Sequence, residues 1–105
     1  MDKITQIQAF LKDNPSDNFL RHALALENIK LGNDAVAKDL FKAILNESPN
    51  YVGSYYHLAK LLERQELFTE ALEWYTKGME AAKAANDKHA FAELQMAYED
   101  LEDNL

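Results

Sequence analysis

Residues 18–49 read NFLRHALALENIKLGNDAVAKDLFKAILNESP, and residues 52–83 read VGSYYHLAKLLERQELFTEALEWYTKGMEAAK. Laid one over the other at an offset of 34 residues, the two stretches pair Leu24 with Leu58, Ala25 with Ala59, Ala37 with Ala71 and Phe41 with Tyr75. Pro15 and Pro49 are separated by the same 34 residues. A fixed period of this length signals one supersecondary unit used repeatedly, each copy burying its apolar face on the next.

Within each copy the apolar residues recur at helical spacing. Tyr55, Leu58, Ala59 and Leu62 fall on one face at 100° per residue, which makes Tyr55 a packing residue. The small side chains of Ala59 and Ala71 let two helices approach, and a large residue at either would overpack the pair by about 1–3 kcal/mol. Gly32 followed by Asn33 and Asp34 is a helix-ending glycine followed by an N-cap, and Asn86-Asp87 repeats the signal. Ser48-Pro49-Asn50 stops a helix, because proline disfavours helical geometry in the residue before it. Glu66 stands where a turn glycine would take φ > 0 cheaply. The pattern predicts six helices at about 2–13, 17–31, 34–47, 51–64, 68–85 and 88–103.

The ends extend the period. Ile4, Ile7 and Leu11, with Phe10 beside them and Pro15 just beyond, read as the second helix of a preceding copy. Phe91, Leu94 and Tyr98 lie 36 residues after Tyr55, Leu58 and Leu62, a further first helix with two residues inserted at Asn86-Asp87-Lys88. Glu99, Asp100, Glu102 and Asp103 give it the polar outer face that a terminal element needs.

Taken together, Arg21, Leu24, Ala25, Asn28, Ala37, Phe41 and Pro49 in the first copy occupy one register. Tyr55, Leu58, Ala59, Leu62, Ala71, Tyr75 and Lys83 occupy it in the second. The register resembles the W-x2-L-G-x2-Y, A-x3-F, P signature of the tetratricopeptide repeat (TPR) family. The whole chain looks like the small stand-alone TPR proteins of bacteria. The resemblance implies an all-α fold, a six-helix antiparallel helix–turn–helix array coiled as a right-handed superhelix. It implies a single TPR-like domain over 1–105: a half-repeat helix at 1–15, repeats at 18–51 and 52–85, and a capping helix at 86–105. It further implies that the face of each first helix opposite the packing residues lines a concave groove that receives peptides.

In the second repeat that face holds Gly53, Tyr56, Lys60, Glu63 and Arg64, with His57 at its flank. The same offsets give Phe19, His22, Leu26, Ile29 and Lys30 in the first repeat, and His89, Ala92, Met96, Glu99 and Asp100 in the third first helix. Phe19, Leu26 and Ile29 are large apolar groups on a face expected to be wet. Leu26 and Ile29 either pack on neighbouring helices or floor an apolar end of the groove. The candidate peptide-binding residues are therefore Phe19, His22, Leu26, Ile29, Tyr56, Lys60 and Arg64.

Other chemistry is poorly represented. Without cysteine the chain has no disulfide or thiolate site, and no HExxH or i, i+4 histidine pair joins His22, His57 and His89 into a metal site. No catalytic residue and no cofactor is expected: Ser16, Ser48 and Ser54 lack a nucleophile-elbow context, and three scattered glycines build no phosphate loop. The net charge of −7 comes entirely from residues 61–105, where four Lys/Arg face eleven Asp/Glu. With no basic stripe, neither nucleic acid nor an anionic membrane surface is an expected partner. No run is apolar enough to span a bilayer and the N-terminus lacks a secretory h-region, so the expected compartment is the cytoplasm. The family's carboxylate clamp for acidic chaperone tails would fall on His22, Leu26, His57, His89 and Glu93, none of them a permanent cation. The expected function is a non-enzymatic adaptor holding a peptide or helix of another protein. The alternative is a structural module that forms a homodimer through the apolar face of the first repeat.

Overall fold

The computed structural model describes residues 2–105, which form six α-helices and no strand. These are α1 (Lys3–Asp13), α2 (Asn18–Lys30), α3 (Asp34–Glu47), α4 (Gly53–Arg64), α5 (Phe68–Ala84) and α6 (Lys88–Asp103). They belong to two compact units, one ending at Glu47 and the other spanning Ser48–Leu105.

In the first unit α1 packs on α2 and α2 on α3. Asp2 and Asp17 cap α1 and α2, their Oδ1 atoms accepting the N–H of Thr5 at 2.7 Å and of Leu20 at 2.9 Å. The α2–α3 core is Leu24, Ala25, Ala37, Phe41, Ile44 and Leu45. Ala25 and Ala37 are wholly buried, as are Ala59 and Ala71, whose small side chains are expected to let their helices approach closely. By contrast α1 buries no residue completely: Ile4, Ile7 and Leu11 are half-buried and Phe10 is exposed.

Two polar residues stand at aromatic positions of the repeat signature, and hydrogen bonds explain how the fold accepts them. The buried Arg21 donates from Nη1 to Glu47 at 2.5 Å and from Nη2 to Asn18 Oδ1 at 2.6 Å and the Ser16 carbonyl at 3.3 Å. Asn28 is also buried; its Nδ2 donates to the Leu24 carbonyl at 2.9 Å and its Oδ1 accepts from Asn33 at 3.3 Å. A buried polar group is tolerable when its partners are present, and these largely are.

In the second unit α5 packs against both α4 and α6. Its core is Tyr55, Leu58, Ala59, Leu61, Leu62, Ala71, Tyr75, Ala82, Leu94, Ala97 and Leu101. Tyr55 is a packing residue as its spacing predicts, and its hydroxyl donates to the Pro49 carbonyl at 2.5 Å. The α4 helix starts at Gly53, two residues later than expected. Ser54 and Tyr55 bond back to Tyr51 and Val52, i→i+3 pairs that form a tight 3₁₀-type turn before the regular ladder begins. The two inserted residues are absorbed by helix length: α5 has 17 residues against 14 in α3. Pro49 blocks extension of α3, whereas Lys83 at the equivalent position leaves α5 free to run another turn.

Three helices end in the same way. Gly32, Glu66 and Asn86 have φ of 80°, 61° and 56°. Each donates its N–H to the residue three back, and the residue after it reaches five back, as in Gly32→Ile29 at 3.0 Å and Asn33→Asn28 at 2.8 Å. The 34-residue period thus survives in backbone geometry at Glu66 although its glycine is gone.

Candidate functional site

On α2, Phe19, His22, Leu26 and Ile29 recur every three or four residues and share one face. Phe19 is 72% exposed, while the other three are half-buried. The His22 ring meets the Phe41 ring edge-on at 5.5 Å, so this histidine has a structural contact with the core as well as an accessible edge. Lys30, at the end of the same helix, is paired with Glu27 at 2.9 Å.

In the second unit Tyr56 and Lys60 lie together on α4. The Lys60 ammonium sits 5.7 Å from the centre of the Tyr56 ring and 3.6 Å from Glu63. Glu63 in turn accepts a hydrogen bond from the buried Tyr75 hydroxyl. Burial and that carboxylate push the Tyr75 phenol well above its usual range. His57 meets Tyr56 edge-on at 5.7 Å, and burial lowers its pKa against an opposing pull from Glu93.

Tyr56 and Lys60 also form one wall of an open depression of about 530 Å³ whose other wall is α6: Glu93, Met96, Ala97, Glu99, Asp100 and Asp103. Arg64 is exposed at the end of α4 and does not line it. Of the α6 offsets read from the sequence, Met96, Glu99 and Asp100 reach the depression, while His89 and Ala92 do not. Glu93 and Asp103 were not placed on that face by those offsets. They continue the stripe by four residues from His89 and Glu99, so helical spacing alone could have found them.

Among the described residues no three His, Asp or Glu side chains come together as metal ligands, and no helix is long and apolar enough to cross a membrane. The arrangement offers aromatic, apolar and carboxylate contacts on helix surfaces, and the likeness to known structures agrees with that character. No family model and no curated protein matches the chain. Among solved structures, the tetratricopeptide repeat domain protein from Salinibacter ruber is 40% identical in both its NMR and its crystal form. The NMR structure covers 84% of this chain and 89% of its own, with a TM-score of 0.81. The crystal structure covers 82% and 96%, with a TM-score of 0.79. The fold is also that of the TPR2B domain in the pHsp70 complex of yeast Sti1, at 18% identity, 97% and 82% coverage and a TM-score of 0.88. The helix–turn–helix repeat and its exposed side chains define the class, a protein–protein interaction module. The chain belongs to the tetratricopeptide repeat family.

Proposed function

We propose that this chain is a cytoplasmic, non-enzymatic adaptor that holds a peptide or helix of a partner protein against the groove faces of its first helices. The observation that carries this reading is the exposed Phe19 ring on the α2 face it shares with His22, Leu26 and Ile29. A large aromatic left in water on a folded helix is the kind of group that anchors a partner once desolvated. Tyr56 adds a second aromatic contact, and Lys60 and Arg64 are donors for the ligand backbone. The TPR2B domain bound in the pHsp70 complex is a precedent for a protein ligand on this fold.

The test is affinity capture from native cells with the wild type and with a Phe19→Ala/His22→Ala/Tyr56→Ala variant whose thermal melt matches it. A protein held by the wild type and lost from the variant supports the groove face as the working surface. Retention of the same proteins by both overturns it. Light scattering separates the homodimer alternative: a stable dimer dissociated by Phe19→Asp would favour assembly over the adaptor.

A further inference from the structure

We infer that the depression between α4 and α6 receives a cationic segment of a partner protein, its lysine or arginine meeting the α6 carboxylates while an apolar neighbour lies on Tyr56 and Met96. The inference rests on the adaptor reading of the α4 face and adds the chemistry of the ligand.

Charge comes first. Glu93, Glu99, Asp100 and Asp103 line the depression, and Lys60 is the single cation among its lining residues. Lys60 is already engaged, by Glu63 at 3.6 Å and by the Tyr56 ring. Among the described residues none of the four α6 carboxylates forms an ion pair. Glu99 and Asp103 are one helical turn apart, where like charges repel. Glu99, Asp100 and Asp103 also crowd the last turns of α6, where the negative end of the helix dipole disfavours them further. The helix therefore keeps a set of mutually unfavourable charges that no ion pair among the described residues offsets, and a bound cation relieves them together.

An independent observation is the uncovered apolar floor. Met96 is 71% exposed in the same depression as Tyr56 and Ala97. A flexible thioether can fit its shape to an apolar side chain laid across it. An acidic ligand is repelled here, and a purely apolar one would strand carboxylates without partners. A segment that alternates cationic and apolar side chains satisfies both parts of the site. The wider field agrees, since residues 48–105 carry five Lys/Arg against eleven Asp/Glu.

The experiment is an amide NMR titration with two synthetic peptides of equal length and identical leucine spacing, one with lysine and one with glutamate at the polar positions. The lysine peptide is expected to shift amides of α4 and α6 and to weaken as salt is raised, while the glutamate peptide leaves them unmoved. Glu99→Gln/Asp103→Gln, both at exposed positions, should fold normally and loosen the lysine peptide by about threefold per carboxylate. Three results would overturn the inference: equal response to both peptides, no response to either, or undiminished lysine-peptide binding by Glu99→Gln/Asp103→Gln. A dimer of this chain that buries the depression would do so as well. A natural partner lost by the Phe19→Ala/His22→Ala/Tyr56→Ala variant but kept by Glu99→Gln/Asp103→Gln leaves the adaptor standing and removes the cationic ligand.

Discussion

A Cβ atom placed on Gly78 would lie 2.6 Å from the Cβ of Tyr55, so α4 and α5 meet at a distance that only glycine allows. The same atom would lie 3.1 Å from Leu94 Cδ1 of α6, which makes Gly78 a contact point for both neighbours. Gly78→Ala would gain up to about 1 kcal/mol of helix propensity. Overpacking of about 1–3 kcal/mol opposes that gain, and the crowded atom is bonded to the α4 backbone and cannot swing away. The expected outcome is a net loss of about 1 kcal/mol, read from the urea midpoint. Tyr55→Ala should not rescue it, because alanine keeps the offending Cβ.

Glu66 should yield stability when changed to glycine. Its φ of 61° costs a side-chain-bearing residue about 1–2 kcal/mol, part of which returns as added freedom of the unfolded chain. Glu66→Gly is expected to stabilise by about 0.5 kcal/mol. Gly32→Ala, 34 residues earlier, should destabilise by about 1 kcal/mol from backbone strain alone, since nothing lies within 4 Å of the new methyl group. Chemical denaturation of the two variants checks the opposite signs.

Arg21 and Glu47 should respond unequally. The arginine side chain is 11% exposed and has three oxygen partners, whereas the Glu47 side chain is 55% exposed. Glu47→Gln leaves the Asn18 and Ser16 acceptors in place and should cost no more than about 0.5 kcal/mol. Arg21→Ala removes the whole cluster and the packing of its stem, and should cost about 2 kcal/mol. Comparable losses from the two variants in a denaturation series would contradict this account.

His57 gives the fold an acid sensitivity. Burial holds its folded pKa below the ordinary 6.5, so below that pH the unfolded chain takes up the proton more readily than the fold does. The stability contributed by neutral His57 is present above pH 6.5 and declines as pH falls through that value. His57→Gln should therefore lose less stability than the wild type between pH 7.5 and 5.5. Paired denaturation curves at the two pH values measure the difference, and equal losses would dismiss the histidine as the cause.

Much of the fold was legible because repeat proteins write their contacts locally. Leu24 with Ala25 and Leu58 with Ala59 announce the same helix face twice, and the six helices follow with ends displaced by one or two residues. What the spacing did not reveal were substitutions of one physical solution for another. Arg21 and Asn28 look like failures at aromatic positions until the acceptors from Ser16, Asn18, Glu47 and Leu24 are seen around them. Glu66 looked unsuited to a turn, yet it takes the left-handed conformation because the packing of α4 on α5 outweighs a local backbone cost.

The candidate site divides the same way. Helical spacing placed Tyr56 and Lys60 on one face of α4, and Met96, Glu99 and Asp100 on one face of α6. That the two faces border one depression depended on the separation of α4 from α6, whereas Lys60 finds Glu63 and the Tyr56 ring within one turn of its own helix.

From its residues alone the chain is determined as an all-α repeat with a 34-residue period and an acidic second half. Period, charge and helix-ending signals are properties of neighbours along the chain. Only the tertiary structure decided that Gly78 is a contact point, that both terminal nitrogens of a buried arginine find acceptors and that, among the described residues, Glu93, Glu99, Asp100 and Asp103 form no ion pair. Each of these depends on how closely residues far apart in sequence are brought together, and that separation is set by the packing of whole helices.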